Sequence, residues 1–143
     1  MSLFQPQNAE YESSVRESFG RQRVMQLIGA ALKRVEPGIV DIELSYREDL
    51  TQQNGYIHAG IITTIADSAC GYAAYTLMPA GSQVLSVEFK VNLLRPAAGE
   101  RFVAEGRVMK AGGTLTVTGC DVYGWAGEEV KMIATMLATM IRR

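Results

Sequence analysis

Residues 51–74, TQQNGYIHAGIITTIADSACGYAA, decide how this chain is read, because a polar loop runs there into a long apolar segment that carries one acid. From Ala59 to about Leu77 the side chains do not alternate, Ala, Ile and Thr dominate, and the length suits a helix rather than a strand. A helix that is apolar nearly all round belongs inside a protein, so this one is expected to be enclosed. Asp67, Ser68, two glycines and several threonines make the stretch poor material for a membrane span. Pro79 and Gly81 end it.

After that helix the chain reads as strands: VLSVEFKVNLL (84–94), ERFVAEGRVMK (100–110), TLTVTGCDVYG (114–124) and VKMIATMLATMIRR (130–143). Turn signals separate them at 95–99, 111–113 and 125–128. Before the loop, IVDIELSYRED (39–49) alternates Val40, Ile42, Leu44 and Tyr46 with Asp41, Glu43, Ser45 and Arg47, the pattern of a half-buried strand. Ahead of it, Ser13 or Ser14 can cap a helix carrying Val15, Phe19, Val24, Leu27, Ile28 and Leu32, stopped by Pro37-Gly38. Residues 1–12 are expected to be loose. The order is helix, strand, long helix and four strands, without the strand-helix alternation of a parallel sheet. It predicts an α+β domain, 1–143, in which a curved antiparallel sheet wraps one long helix, with no linker or repeat.

Composition narrows the function. Fourteen Lys and Arg against 15 Asp and Glu leave a net charge of -1, which argues against nucleic-acid binding by counterion displacement. Cys70 and Cys120 follow no metal-ligand spacing, His58 is the only histidine, and the opening MSLFQPQNAEYESSV lacks a basic region followed by an apolar one. The expectation is a cytoplasmic protein with reduced thiols, no metal and no membrane partner. With 48% hydrophobic residues, a chain of 143 can build its own core.

Asp67 is the residue that calls for chemistry. An unpaired carboxylate among Ile61, Ile65, Ala66, Ala69 and Ala73 would cost several kcal/mol to bury, so it must meet donors, water or a ligand cleft. On position alone, a structural pairing across an interface is as good an explanation. Gln52, Gln53, Asn54 and His58 precede the helix, and its first N–H groups can face a ligand with the positive end of the dipole behind them, an oxyanion hole in outline. His58 either tethers the helix start or takes part directly. No G-x-S-x-G elbow is present to support a serine nucleophile. Gly71 is expected to let another backbone approach the helix.

These features resemble a known family, the phenylacetate-degradation-type (PaaI-like) hotdog acyl-CoA thioesterases. The resemblance runs from about Gly38 to Ile141 and rests on Gln52, on His58-Ala59-Gly60, and on Asp67 nine residues after His58. LSVEFKVNLLRPA, with Ser86, and RVMKAGGTLTVTGCDVYG support it. It implies a hotdog fold and a hydrolase for acyl-CoA in which Asp67 is nucleophile or general base and no cofactor takes part. It implies that Gln52 and the Ala59 N–H hold the carbonyl oxygen, with His58 and Gly60 beside them, and that Ser86 orients water or substrate. It implies that acid and oxyanion groups come from opposite subunits of a homodimer, itself often paired into a dimer of dimers. Asn54, Arg95, Lys110 and Lys90 become candidates for binding the substrate, and Tyr72, Tyr75, Phe89 and Met78 for lining the acyl pocket. Ala59 departs from the family's usual glycine, and Gly113 from its usual basic residue. Two alternatives, an enoyl-thioester hydratase and a non-catalytic acyl-CoA-binding module, differ from the hydrolase in releasing no free thiol.

Overall fold

The computed structural model describes residues 3–143. Helices α1 (Tyr11–Arg21) and α2 (Arg23–Ile28) lead into the hairpin β1 (Ala31–Glu36) and β2 (Ile39–Ser45). The long helix α3 (Ala59–Tyr75) follows, then β3 (Val84–Leu93), β4 (Arg101–Ala111), β5 (Leu115–Ala126) and β6 (Glu129–Arg142). All six strands form one antiparallel sheet in the order β1-β2-β4-β5-β6-β3. This is the hotdog arrangement that the resemblance implies.

One early element is corrected. The predicted first helix does not reach Leu32: Gln22 interrupts it in an extended conformation, and Gly29, with φ 77°, ends α2. Residues 31–36 are a strand. Leu32 and Val35 lie three apart, which mimics helical spacing, yet they pair with Ile42 and Val40 on one face because a bulge at Lys33 absorbs the extra residue. Neither serine caps α1; Glu10 stands at its N-cap without a side-chain cap bond. The expectation of a loose segment covers residues 1–12, of which 1 and 2 lie outside the described residues. Within the rest, Phe4 lies against Gly38 and Gln7 Nε2 donates to Leu77 O at 3.0 Å.

The sheet folds around α3. Val40, Ile42 and Leu44 of β2, Phe102 and Ala104 of β4, and Cys120 and Val122 of β5 are wholly buried, facing Ile65, Ala66, Ala69 and Cys70 of the helix. The closest approach is at Gly106, where a Cβ would lie 2.4 Å from Ala69 O. Gly71, expected to serve that purpose, has only Met140 Sδ within reach, 3.9 Å from its would-be Cβ. The close approach is therefore built into the sheet, not the helix. The expectation of a fully enclosed helix is corrected too: Thr63, Thr64, Asp67, Ser68, Gly71 and Tyr75 keep partial exposure, because one sheet covers only one side of a cylinder. Cys70 and Cys120 are free thiols, both buried. Among the described residues no helix is long and apolar enough to cross a membrane.

Candidate active site

The site begins with the loop before α3, which hydrogen bonds lock. Ile57 N–H donates to Ala97 O at 3.1 Å, His58 N–H to Leu50 O at 3.0 Å, and Gln52 N–H to Tyr56 O at 2.8 Å. Gln52 Oε1 accepts from the N–H groups of Asn54 (2.5 Å) and Tyr56 (3.3 Å). Because the amide oxygen is held by the loop, the Nε2 donor of Gln52 points to the other side and has no partner among the described residues.

His58 is the N-cap of α3, its Nδ1 accepting from Gly60 N–H at 2.8 Å. The ring is thereby an acceptor at Nδ1, and the Gly60 N–H is spent. Ile61 N–H and Ile62 N–H both donate to His58 O, at 2.9 and 3.2 Å. That leaves the Ala59 N–H as the one donor at the helix start without a partner among the described residues. Among the described residues no non-glycine residue has positive φ, so the Cβ of Ala59 costs no backbone strain. Gly60 matters for space: a Cβ there would lie 3.0 Å from His58 Nδ1.

Eight residues on, about 12 Å along the helix axis, Asp67 is half-exposed and its Oδ1 accepts from Ser86 Oγ at 2.6 Å. Ser86 reaches it from β3, where it also lies 3.4 Å from Met140 Sδ. Asp67 and Ser86 line a cavity of about 280 Å³ with Ser18, Gln22, Ser68 and Tyr72. Gln52, Ala59 and Arg95 line a second cavity, of about 430 Å³, with Tyr56, Leu93 and Leu94. The predicted residues thus fall into two groups within one chain.

The other candidates are placed less centrally. Arg95 Nη1 donates to Met132 O at 2.7 Å at the mouth of the second cavity. Lys90 Nζ donates to Asn92 Oδ1 at 2.9 Å and lines neither cavity, nor do Lys110, Asn54, His58 or Gly60. Of the residues expected to line the acyl pocket only Tyr72 lines the cavity beside Asp67; Tyr75, Met78 and Phe89 do not. Gln22, Ser18 and Ser68 were missed, and no spacing signal marks them: they meet only because α1 breaks at Gln22 and lies across α3. Among the described residues no group of three His, Cys, Asp or Glu side chains is placed to hold a metal ion.

Among the described residues strand β3, which carries Ser86, has one neighbour, β6, and its other edge is unpaired. Leu85, Val87, Phe89 and Leu93 are 43–54% exposed along it, a long apolar edge of the kind that pairs with another strand.

Comparison with known proteins agrees with this architecture. The model of the thioesterase superfamily matches residues 54–131. A crystal structure of a thioesterase family protein from Silicibacter pomeroyi is 49% identical, covers 92% of this chain and 97% of its own, and superposes with a TM-score of 0.91. Human acyl-coenzyme A thioesterase 13 is 31% identical over 87 residues, 60% of this chain and 61% of its own. The E. coli PaaI protein from the phenylacetic acid degradation operon, at 16% identity, shares the fold over 96% of both chains with a TM-score of 0.85. With its matched segment running from the loop ahead of α3 to the start of β6, the chain belongs to the thioesterase superfamily.

Proposed function

We propose that this chain is a cytoplasmic acyl-CoA thioester hydrolase whose active site forms where two copies meet. The observation that carries the reading is the division of the site. Asp67 with Ser86 opens into one cavity and Gln52 with the Ala59 N–H into another, each half lacking what the other supplies. Pairing β3 of two copies across a two-fold axis would cover the apolar edge and set the carboxylate of each beside the donors of the other.

In that dimer the thioester carbonyl oxygen takes hydrogen bonds from the Ala59 N–H and from Gln52 Nε2, donors fixed before substrate arrives. Ser86 holds Oδ1 of Asp67, leaving Oδ2 to act. As general base, Oδ2 takes a proton from water while the water oxygen attacks the carbonyl carbon. As nucleophile, Oδ2 attacks directly and water then cleaves the anhydride. Either way the carbonyl becomes an oxyanion at the two donors, the C–S bond breaks, and the CoA thiolate leaves and takes a proton. A thioester carbonyl is activated enough for a carboxylate and two preorganised donors. Arg95 is the cation best placed for the CoA phosphates, while Asn54, Lys90 and Lys110 would act at the rim.

The test is complementation. Asp67→Asn is expected to fold and lose thiol release by orders of magnitude, and Gln52→Ala to lose it chiefly through kcat. Unfolded and refolded together in equal amounts, half of the dimers are mixed and one site in each is intact. About a quarter of wild-type activity then returns. No recovery from two folded variants would reject the shared site; near-normal turnover by Asp67→Asn alone would reject the chemistry.

A further inference from the structure

Met140 stands beside the Asp67–Ser86 pair without a part in the proposed reaction. It is the cross-strand partner of Ser86 between β6 and β3, and residues directly opposite each other in a sheet turn their side chains to the same face. A thioether therefore lies against the Ser86 hydroxyl. Ser86 Oγ is 2.6 Å from Asp67 Oδ1 and 3.4 Å from Met140 Sδ, so its single proton faces two acceptors. A carboxylate oxygen is a strong acceptor and a thioether sulfur a weak one, so the proton stays with Asp67. That outcome holds only while the sulfur remains a thioether.

The sulfur is within reach of a small reagent. Met140 is packed into the core with 0% exposure, yet it lines the cavity of about 280 Å³ that holds Asp67 and Ser86. Gly71 lines the same cavity and leaves the sulfur bare: the Cβ it lacks would lie 3.9 Å from Met140 Sδ, in ordinary contact. Among the described residues, outside the backbone of α3 itself, no other atom comes within 4 Å of that point. A small molecule that enters the cavity thus meets the sulfur across the backbone of Gly71. Met109, by contrast, is 56% exposed and lines no part of this cavity. It is the internal control for oxidation that has no chemical consequence.

We propose that Met140 is an oxidation site at which hydroperoxides lower thiol release, by drawing the Ser86 proton away from Asp67. The inference rests on Asp67 being the reacting carboxylate. A lone pair of Met140 Sδ takes the distal oxygen of the hydroperoxide, the O–O bond breaks, and the departing oxygen takes the hydroperoxide's proton. The sulfur loses two electrons and becomes a sulfoxide, and the oxidant is reduced to water or an alcohol. Oxidation turns an apolar side chain into a polar one, and the new oxygen is a far better acceptor than the sulfur was. Lying against Ser86 Oγ, it takes the proton that Asp67 Oδ1 held, and the carboxylate loses its tie to β3.

The experiment treats the full-length protein with hydrogen peroxide, reads methionine oxidation position by position by peptide mass spectrometry, and assays thiol release from acyl-CoA alongside. Turnover is expected to fall about tenfold, the worth of one hydrogen bond to a charged group, in step with sulfoxide at 140 and not with sulfoxide at 109. The oxidised protein is expected to match unoxidised Ser86→Ala, and peroxide to change Ser86→Ala itself little, because the contested proton is gone. Met140→Leu, which conserves volume, is expected to keep its own starting turnover through the treatment. A loss that dithiothreitol reverses belongs to Cys70 or Cys120 and overturns the inference. So does a loss that tracks another methionine, persists in Met140→Leu, or strikes Ser86→Ala as hard as wild type. Should Met140→Leu fail to fold, Gly71→Ala decides, since its methyl would cover the sulfur at 3.9 Å: the loss must slow, and an unchanged rate overturns the inference. Absence of thiol release before peroxide is added overturns the hydrolase reading itself, whereas turnover that peroxide leaves intact overturns only this one.

Discussion

Alanine at Gly106 tests whether the depth of α3 above the sheet sets the activity. Gly106 lies in β4 opposite Val40 and Cys120, under the backbone of α3. A Cβ there would sit 2.4 Å from Ala69 O, 2.5 Å from Ala69 C and 2.9 Å from Ala69 Cβ. Ordinary contact starts at 3.4 Å, so the helix must lift by 3.4 − 2.4, about 1 Å, and no rotamer can relieve a clash with backbone. Overpacking costs about 1–3 kcal/mol, and the upper end applies because a whole helix has to move away from Ile42, Ala104 and Val122. Asp67, two residues before Ala69, rides with it. A displacement of about 1 Å at a reacting group is expected to lower kcat about 100-fold. Gly71→Ala is the matched control on stability: its Cβ meets only Met140 Sδ at 3.9 Å, and alanine in a helix interior gains up to about 1 kcal/mol over glycine. Urea unfolding followed by circular dichroism, with thiol release from acyl-CoA, reads both quantities. A Gly106→Ala protein within about 0.5 kcal/mol of wild type, or one folded with unimpaired turnover, would refute the reasoning. Equal damage from Gly71→Ala would refute it as well.

Substitutions at two further positions probe other parts of the fold. Asp41, on the outer face of β2, has a buried Oδ1 without a hydrogen-bond partner, and desolvation, aided by Glu105, pushes its carboxyl up to about 6 against the pull of Arg34. Because the folded value is raised, the protonated form is favoured on folding, and that stability is present below about pH 4 and lost as pH rises towards 6. Asp41→Asn is therefore expected to match wild type in thermal unfolding at pH 4 and to exceed it at pH 8, by about 1 kcal/mol once solvent screening of this half-exposed group is allowed for; a gain that is the same at both pH values would refute the assignment. His58→Ala is expected to cost about 1 kcal/mol through loss of the cap on Gly60 N–H, and His58→Asn, a strong capping residue, to restore it. If His58→Asn folds as stably as wild type yet loses thiol release, the imidazole has a chemical part beyond the cap.

Much of this molecule was legible in one dimension because its signals are local. The alternation of Val40, Ile42 and Leu44, the long non-alternating segment after Ala59 and the Pro79 stop each follow from neighbours along the chain, and the strands after Val84 fall where turn residues bracket them. Asp67 stood out because a charge among Ile and Ala needs a reason. The hairpin strand Ala31–Glu36 was hidden because a bulge gives Leu32 and Val35 helical spacing while they share one face of a sheet. That His58 spends its Nδ1 on Gly60, that Gly106 rather than Gly71 admits the close approach, and that Ser86 meets Asp67 depend on which atoms come within a few ångströms of each other after folding. The sequence by itself determined the types of element and the residue that needed explaining, since propensity, periodicity and charge belong to the local chain. The tertiary structure alone decided which donors remain free, how the candidate residues divide between two cavities and that Ser18 and Gln22 come to line one of them, because hydrogen bonds and packing are set between segments far apart in sequence.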